Sequence, residues 1–161
     1  MSPDGFHLTD AISDKAVEMI RSAAEGDKPF FLYAAYTAPH WPLHAHDEDI
    51  AKYDGVYAKG WDNCRTARNE EMNGRGIHKA SWDISPRDAE AAPWDAVKEQ
   101  DWEAARMAVY AAMIDRMDQG IGRILAELDS QGIADDTIVM FLSDNGGCAE
   151  FMAEDGWGQF Y

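Results

Sequence analysis

Two apolar runs of strand length, separated by one long helical pattern, constrain the fold of this chain more than any other feature. The first run, residues 29–36, is rich in aromatic side chains, and the second, residues 137–142, is apolar after its opening Thr137. Runs of this kind are typical of strands that are buried on both faces of a parallel sheet. Between them, apolar residues recur every three or four positions, as on one face of a helix: Val109, Met113, Met117, Ile121, Ile124 and Leu128. We therefore predict an α/β fold with a partly parallel sheet flanked by helices.

Local signals predict where the helices of this fold begin and end. A first helix is predicted from Leu8 toward Gly26, with Thr9 or Asp10 as its N-terminal cap. The long helix is predicted from about Gln100 to Ser130 and contains two glycines, which cost about 1 kcal/mol each relative to alanine. We interpret these glycines, Gly120 and Gly122, as sites of close packing against the sheet. Gly132 is predicted to end this helix, and Asp135 and Asp136 to turn the chain into the second strand.

Residues 38–95 differ from the rest of the chain because they are rich in Trp, Asp, Arg and Gly and carry four prolines, at positions 39, 42, 86 and 93. This composition predicts a long excursion that contains two short helices, near residues 48–53 and 61–72. Long irregular stretches inside a compact domain are often functional.

The overall charge limits the classes of partner. The chain has 14 basic and 30 acidic residues, a net charge of −16, which is unfavourable for binding nucleic acid or an anionic membrane surface. No apolar stretch approaches the roughly 18 residues of a membrane span. The first residues lack the basic and apolar regions of a signal peptide, and the compartment stays open between cytoplasm and periplasm. Two cysteines, Cys64 and Cys148, do not make a disulfide framework.

A histidine follows the first predicted strand. His40 lies between Pro39 and Trp41-Pro42, and the prolines favour extended backbone on both sides of the imidazole. Such a histidine can donate a hydrogen bond to an anion or protonate a leaving group near neutral pH. The alternative is a loop histidine that bonds only to local backbone. His44 and His46 follow closely, but no nearby cysteine or carboxylate stands at a recognised metal-ligand spacing.

A carboxylate and an amide follow the second predicted strand. Asp144 and Asn145 supply hard oxygen ligands for Ca²⁺ or Mg²⁺, and Gly146 and Gly147 let the backbone turn away tightly. The alternative is an ordinary Asp-Asn-Gly turn. Because ligands bind outside the carboxyl ends of parallel strands, His40 and this pair are predicted to share one site. Two ligands do not complete the coordination of Ca²⁺, which takes about 6–8 oxygens.

Several blocks of this sequence resemble the bacterial arylsulfatases, members of the alkaline-phosphatase-like superfamily. The blocks occur in order along nearly the whole chain: residues 6–15, 29–43, 109–113, 117–123 and 141–146, together with 59–62, Arg65, Arg68 and 84–88 in the excursion. The resemblance implies that residues 1–161 are an internal portion of a sulfatase catalytic domain with the alkaline-phosphatase-like sandwich fold.

The same resemblance implies a chemistry. In this family a cysteine is oxidised to formylglycine, whose hydrate attacks sulfur, and a divalent cation, usually Ca²⁺, holds the sulfate oxygens. By position, His40 matches a histidine that contacts the sulfate group, and Asp144 and Asn145 match a metal-ligand pair. The implied substrate is a small-molecule sulfate ester.

Other parts of the family pattern are missing from these 161 residues. They contain neither the early Asp-Asp metal pair nor Cys-x-Pro-x-Arg, and no lysine follows Asp144 and Asn145. Cys64 and Arg68 have the separation of the cysteine and arginine in Cys-x-Pro-x-Arg, but Thr66 stands where the proline would be. We therefore predict that Cys64 is not the nucleophile and that the chain alone is inactive. Cys148 is interpreted as a packing residue. A phosphodiesterase or phosphonate hydrolase of the same superfamily, and a nonenzymatic fragment or binding module, remain as alternatives.

Overall fold

The computed structural model describes residues 5–79 and 82–147, and within these ranges it is built from helices. Its α-helices are α1 (Leu8–Ala24), α2 (Asp47–Ala51), α3 (Gly60–Gly74) and α4 (Gln100–Ser130), and two 3₁₀ turns span Trp94–Ala96 and Ala134–Asp136. The predicted helices are therefore confirmed. Residues 29–36 and 137–142 form neither helix nor paired strand in the described part of the chain, so the predicted sheet is not observed. None of the described helices is long and apolar enough to cross a membrane.

The described residues divide into two compact units. The first contains residues 5–42 and 114–147, and the second contains residues 43–79 and 82–113. The second unit overlaps the predicted excursion, 38–95, and also takes in the first part of α4.

The N-terminus of α1 is not capped as the sequence predicts. The residue before the helix is His7, which makes no side-chain cap hydrogen bond, and Thr9 and Asp10 lie within the first turn. The carboxylate of Asp10 instead accepts hydrogen bonds from Arg116 Nε at 2.7 Å and Nη2 at 2.9 Å. The capping prediction was wrong because the helix begins at Leu8, so Thr9 and Asp10 lie inside its first turn and not before it.

The C-terminus of α4 ends as predicted. Gly132 has a φ of +69°, a left-handed conformation that favours glycine. Its backbone N–H donates to the carbonyl of Asp129, and the N–H of Ile133 donates to the carbonyl of Leu128. This pair of bonds is a Schellman motif, which satisfies carbonyl groups left without partners at the helix end.

In the first unit, α1 packs closely against the second part of α4 at Gly120. A Cβ atom at this position would lie 2.1 Å from Ser13 Oγ and 3.1 Å from Tyr36 Oη. Ser13 is fully buried, and its hydroxyl donates to the carbonyl of Thr9 at 2.9 Å, so the hydroxyl of Tyr36 donates to Ser13 at 2.8 Å. The close packing predicted at Gly120 is therefore present, but against α1 rather than a sheet. Gly122 faces open space, so the same prediction for Gly122 was wrong.

Three ion pairs join the same two helices. Asp10 pairs with Arg116, Asp14 with Arg123, and Arg21 with Glu127. Residue numbers rise together along both helices, so α1 and this part of α4 run parallel. Parallel helices are what consecutive strand-helix units place on one face of a sheet.

Glu127 makes this helix pair sensitive to acid. The hydrogen bond from Arg21, followed by that from Gln131, holds the pKa of Glu127 below its ordinary value of 4.5. Because the folded state lowers this pKa, the stabilisation is fully present above pH 4.5 and is lost as the pH falls through the folded-state pKa. We expect Glu127→Gln to flatten the decline of unfolding free energy below pH 4.5, measured by urea denaturation. Asp129→Asn, which removes an exposed carboxylate from the same helix, is the control, and an equal flattening by both variants would contradict this assignment.

Candidate functional site

His40 lies in a tight loop at the end of residues 29–37. Its backbone N–H donates to the carbonyl of Thr37 at 2.9 Å, and Nδ1 lies 2.9 Å from the carbonyl oxygen of Trp41. The peptide bonds to Pro39 and Pro42 are both cis. With Nδ1 protonated and donating to Trp41, Nε2 is left without a partner among the described residues, on an exposed side chain. The imidazole is therefore held by local backbone on one side and presents its other nitrogen to solvent.

The segment that leads to His40 has one covered face. Phe31 and Tyr33 are 87% and 78% exposed, whereas the alternate residues Leu32, Ala34 and Tyr36 are partly buried. Residues 32–35 line an apolar groove together with residues of α1. An alternation with a period of two is that of a strand with one face packed. The segment starts beyond the C-terminus of α1 and reaches Ser13 at Tyr36, so it runs antiparallel to that helix.

Asp144 and Asn145 form an exposed bend. Ser143 Oγ donates to the carbonyl of Asn145 at 2.6 Å, and Asn145 Nδ2 donates to the carbonyl of Gly146 at 2.6 Å. Within residues 5–79 and 82–147, neither the carboxylate of Asp144 nor Oδ1 of Asn145 accepts a hydrogen bond or joins an ion pair.

The structure places His40 and the Asp144-Asn145 pair in the same unit without joining them. No hydrogen bond or ion pair connects the two in the described part of the chain. The apolar segment that precedes Asp144 is exposed to solvent. Its five apolar residues are each at least 55% exposed: Ile138, Val139, Met140, Phe141 and Leu142. His44 and His46 belong to the second unit, where His46 precedes α2.

Of the two cysteines, only Cys64 lies within the described residues. Cys64 lies within α3 as a partly buried free thiol. Burial raises the pKa of the neighbouring Tyr57, with a smaller contribution from Cys64. A regular helical position agrees with the prediction that Cys64 is not the nucleophile, which stays a prediction. Cys148 lies outside the described residues.

The buried carboxylate of Asp49 was not found by the sequence analysis. Asp49 is 1% exposed and its carboxylate lies 2.8 Å from Lys52 Nζ. The only signal in the sequence is the three-residue spacing of the acid and the base on a short helix, which is common on solvated surfaces.

Comparison with known proteins identifies the family. A family model described as Sulfatase matches residues 2–155. This chain belongs to the sulfatase family. The resemblance to arylsulfatases found in the sequence is thereby confirmed, and membership implies the alkaline-phosphatase-like α/β fold.

Individual relatives of this sulfatase chain show the same relationship. An uncharacterized sulfatase of Schizosaccharomyces pombe is 35% identical over 144 residues, which cover 88% of this chain and 26% of the relative. An arylsulfatase of Klebsiella aerogenes is 32% identical over 146 residues, covering 89% of this chain and 31% of the relative. A multifunctional alkaline phosphatase superfamily protein of Trinickia caryophylli is 32% identical over 151 residues, which cover 89% of this chain and 28% of the relative. The chain thus spans less than a third of the length of these relatives.

The sulfatase family implies two groups, a divalent cation and a formylglycine, and the residues of this chain fit only the cation. Asp144 and Asn145 offer adjacent oxygens that have no partner among the described residues, and oxygen is the donor type that Ca²⁺ and Mg²⁺ prefer. Formylglycine does not fit, because the 161 residues contain no Cys-x-Pro-x-Arg sequence. No step through that group can be assigned to residues of this chain.

Proposed function

We propose that this chain is part of a catalytic domain that hydrolyses small-molecule sulfate esters. The match of residues 2–155 to the sulfatase family carries this proposal. Residues 1–161 then form an internal portion of the catalytic domain. Neither nucleic acid nor a membrane is its partner, because a net charge of −16 is unfavourable for polyanionic surfaces.

The parallel helices support a shared site for His40 and Asp144-Asn145. Helix α1 is followed by residues 29–36, and α4 is followed, after a short turn, by residues 137–142. Because the two helices run parallel, both apolar segments start at the same end of the helix pair. If both return along it as strands, they are parallel to each other and end at the same edge of the sheet. His40 and Asp144 each lie just beyond those ends.

The chemistry of the two groups suits a sulfate ester. Asp144 and Asn145 would hold a divalent cation, Ca²⁺ or another, which neutralises charge on the sulfate oxygens when bound. His40 Nε2, free of protein partners within the described residues, would bind a sulfate oxygen and, when protonated, donate a proton to the departing alcohol oxygen. The nucleophile and the remaining metal ligands come from outside these 161 residues.

A second candidate is the hydrolysis of phosphate diesters or phosphonates. The similarity to a protein named for the alkaline phosphatase superfamily favours it, and a divalent metal site serves both kinds of ester. A third possibility is a nonenzymatic binding module that retains His40 and the Asp-Asn pair without turnover.

One assay separates the three. The longest natural polypeptide that contains this sequence is tested with 4-nitrophenyl sulfate, bis-4-nitrophenyl phosphate and a 4-nitrophenyl phosphonate. We expect preferential hydrolysis of the sulfate, no turnover by the 161-residue chain alone, and full activity after Cys64→Ser. Preference for a phosphorus ester would support the second candidate, and absence of any turnover the third. Turnover by the 161-residue chain that Cys64→Ser abolishes would contradict the exclusion of Cys64 as nucleophile.

A further inference from the structure

The hydroxyl of Tyr36 lies at a junction of three elements of the first unit. Its Oη donates to Ser13 Oγ at 2.8 Å, and the Ser13 hydroxyl donates to the carbonyl of Thr9 within α1 at 2.9 Å. Ser13 is fully buried. Helix α4 leaves room for this bond, because a Cβ atom at Gly120 would overlap with Ser13 Oγ and lie 3.1 Å from Tyr36 Oη. The end of residues 29–36 is therefore tied to α1 by a specific polar contact.

This contact lies at the base of the loop that carries His40. Thr37 follows Tyr36 directly, and the carbonyl of Thr37 accepts the backbone N–H of His40 at 2.9 Å. Ala38, inside the same loop, is 8% exposed, whereas the side chain of His40 is exposed. Tyr36 and Ala38 therefore hold the base of the loop, and the imidazole faces solvent.

A second tyrosine in the same segment provides a matched comparison. Tyr33 is 78% exposed, and its hydroxyl makes no hydrogen bond within the described part of the chain. Tyr33 and Tyr36 are three residues apart, so an alternation with a period of two places them on opposite faces of the segment. Removing the hydroxyl of Tyr33 therefore tests the same chemical change without the contact to Ser13.

We propose that Tyr36 is a positioning residue for His40, acting through its hydrogen bond to Ser13. This role rests on the proposed function, in which His40 Nε2 contacts the sulfate ester. Because Nδ1 lies 2.9 Å from the carbonyl oxygen of Trp41, the direction of Nε2 follows the backbone of residues 37–41. A misplacement of about 1 Å can lower a rate by about a hundredfold, so a bond at the base of the loop acts on turnover without touching the substrate.

A double-mutant cycle in the longest natural polypeptide that contains this sequence tests this role. We expect Tyr36→Phe, which removes only the hydroxyl, to lower kcat/KM for an aryl sulfate by about tenfold. In the His40→Gln background the same change should have no further effect, because Tyr36 acts through the imidazole. Ser13→Ala should lower kcat/KM similarly, and Tyr33→Phe should leave it unchanged. All variants are compared at a temperature at which circular dichroism shows them fully folded.

A spectroscopic readout tests the same role without reference to activity. In protein labelled at the histidine ring nitrogens, NMR at a pH where the imidazole is neutral should show His40 protonated at Nδ1, with its signal assigned by loss in His40→Gln. We expect Tyr36→Phe to give a mixture of both tautomers, because the loop then no longer holds Nδ1 against the carbonyl of Trp41. A polypeptide that hydrolyses no sulfate ester would overturn the proposed function, and this comparison would still decide the role of Tyr36.

Three results would each overturn the positioning role. The first is equal kcat/KM in Tyr36→Phe and Tyr33→Phe, because the bond to Ser13 then has no effect on turnover. The second is an equal loss from Tyr36→Phe with and without the imidazole of His40, because the hydroxyl then acts on folding or on another group. The third is an unchanged His40 tautomer in Tyr36→Phe, because the loop then keeps its geometry without the hydroxyl.

Discussion

Replacing Asp144 with alanine should lower kcat/KM for an aryl sulfate by about a hundredfold or more, in the longest natural polypeptide that contains this sequence. The carboxylate has no partner among the described residues, so its loss removes a charged metal ligand without disturbing a protein contact. Asp144→Asn keeps one oxygen, and we expect added Ca²⁺ to restore part of its activity. The measurement is kcat/KM against Ca²⁺ concentration, with calorimetric metal affinity as a second readout.

Asp135→Ala is the matched control for this prediction. Asp135 lies in the 3₁₀ turn before residues 137–142 and is exposed, so its removal changes the net charge equally. Equal losses in both variants would show that overall charge, not metal binding, is responsible. Unchanged metal affinity in Asp144→Ala would remove this residue from the site.

His40 is tested within the same series. We expect His40→Gln to lower kcat by about 10²–10⁴-fold if the imidazole protonates the leaving oxygen. The loss should be larger for esters of weakly acidic alcohols than for 4-nitrophenyl sulfate, because nitrophenolate leaves without help. A rise in KM with kcat unchanged would instead restrict His40 to binding the sulfate group.

Gly120→Ala should destabilise the first unit by about 1–3 kcal/mol or more, through overpacking. A side chain at this position meets the buried hydroxyl of Ser13, which is fixed by bonds to Thr9 and Tyr36. Gly122→Ala, two residues away on the same helix, meets open space and should stabilise the chain by up to about 1 kcal/mol. Urea denaturation followed by circular dichroism measures both.

A second substitution checks the mechanism. Ser13→Gly removes the clashing atoms and should recover part of the stability that Gly120→Ala loses, although it costs helix propensity itself. If Gly120→Ala and Gly122→Ala change the unfolding free energy alike, the close approach of α1 and α4 at Gly120 does not govern stability.

The sequence predicted the helices well because their signals are local. The four-residue spacing of Val109, Met113 and Met117 and the stop at Gly132 depend only on neighbours along the chain, and the structure confirms both. The predicted cap of α1 was misplaced because the helix begins at Leu8, before Thr9 and Asp10. The pairing of Asp10 with the distant Arg116 is shown by no local pattern. The contact of Gly120 with Ser13 is hidden for the same reason.

The candidate site was predictable only in its components. His40 and Asp144 were singled out by residue type and by their position after apolar runs, and the structure shows both exposed. Their meeting depends on a sheet whose strands must pair with other backbone, and pairing of residues 29–36 and 137–142 is not seen in the described part of the chain. A pattern with a period of two identifies a strand but not its neighbour.

The order of charges on α1 and α4 has a consequence for chain direction. Along α1 the paired charges are negative, negative and positive, and along α4 they are positive, positive and negative. If one helix were reversed, Asp10 would face Glu127 and Arg21 would face Arg116, so two attractions would become repulsions. The exposed pair of Asp14 and Arg123 contributes at most about 1 kcal/mol, whereas the carboxylates of Asp10 and Glu127 are partly or largely shielded from water. Together the three pairs favour the parallel arrangement of α1 and α4 over the antiparallel one. In the parallel arrangement both apolar segments leave from the same end of the helix pair.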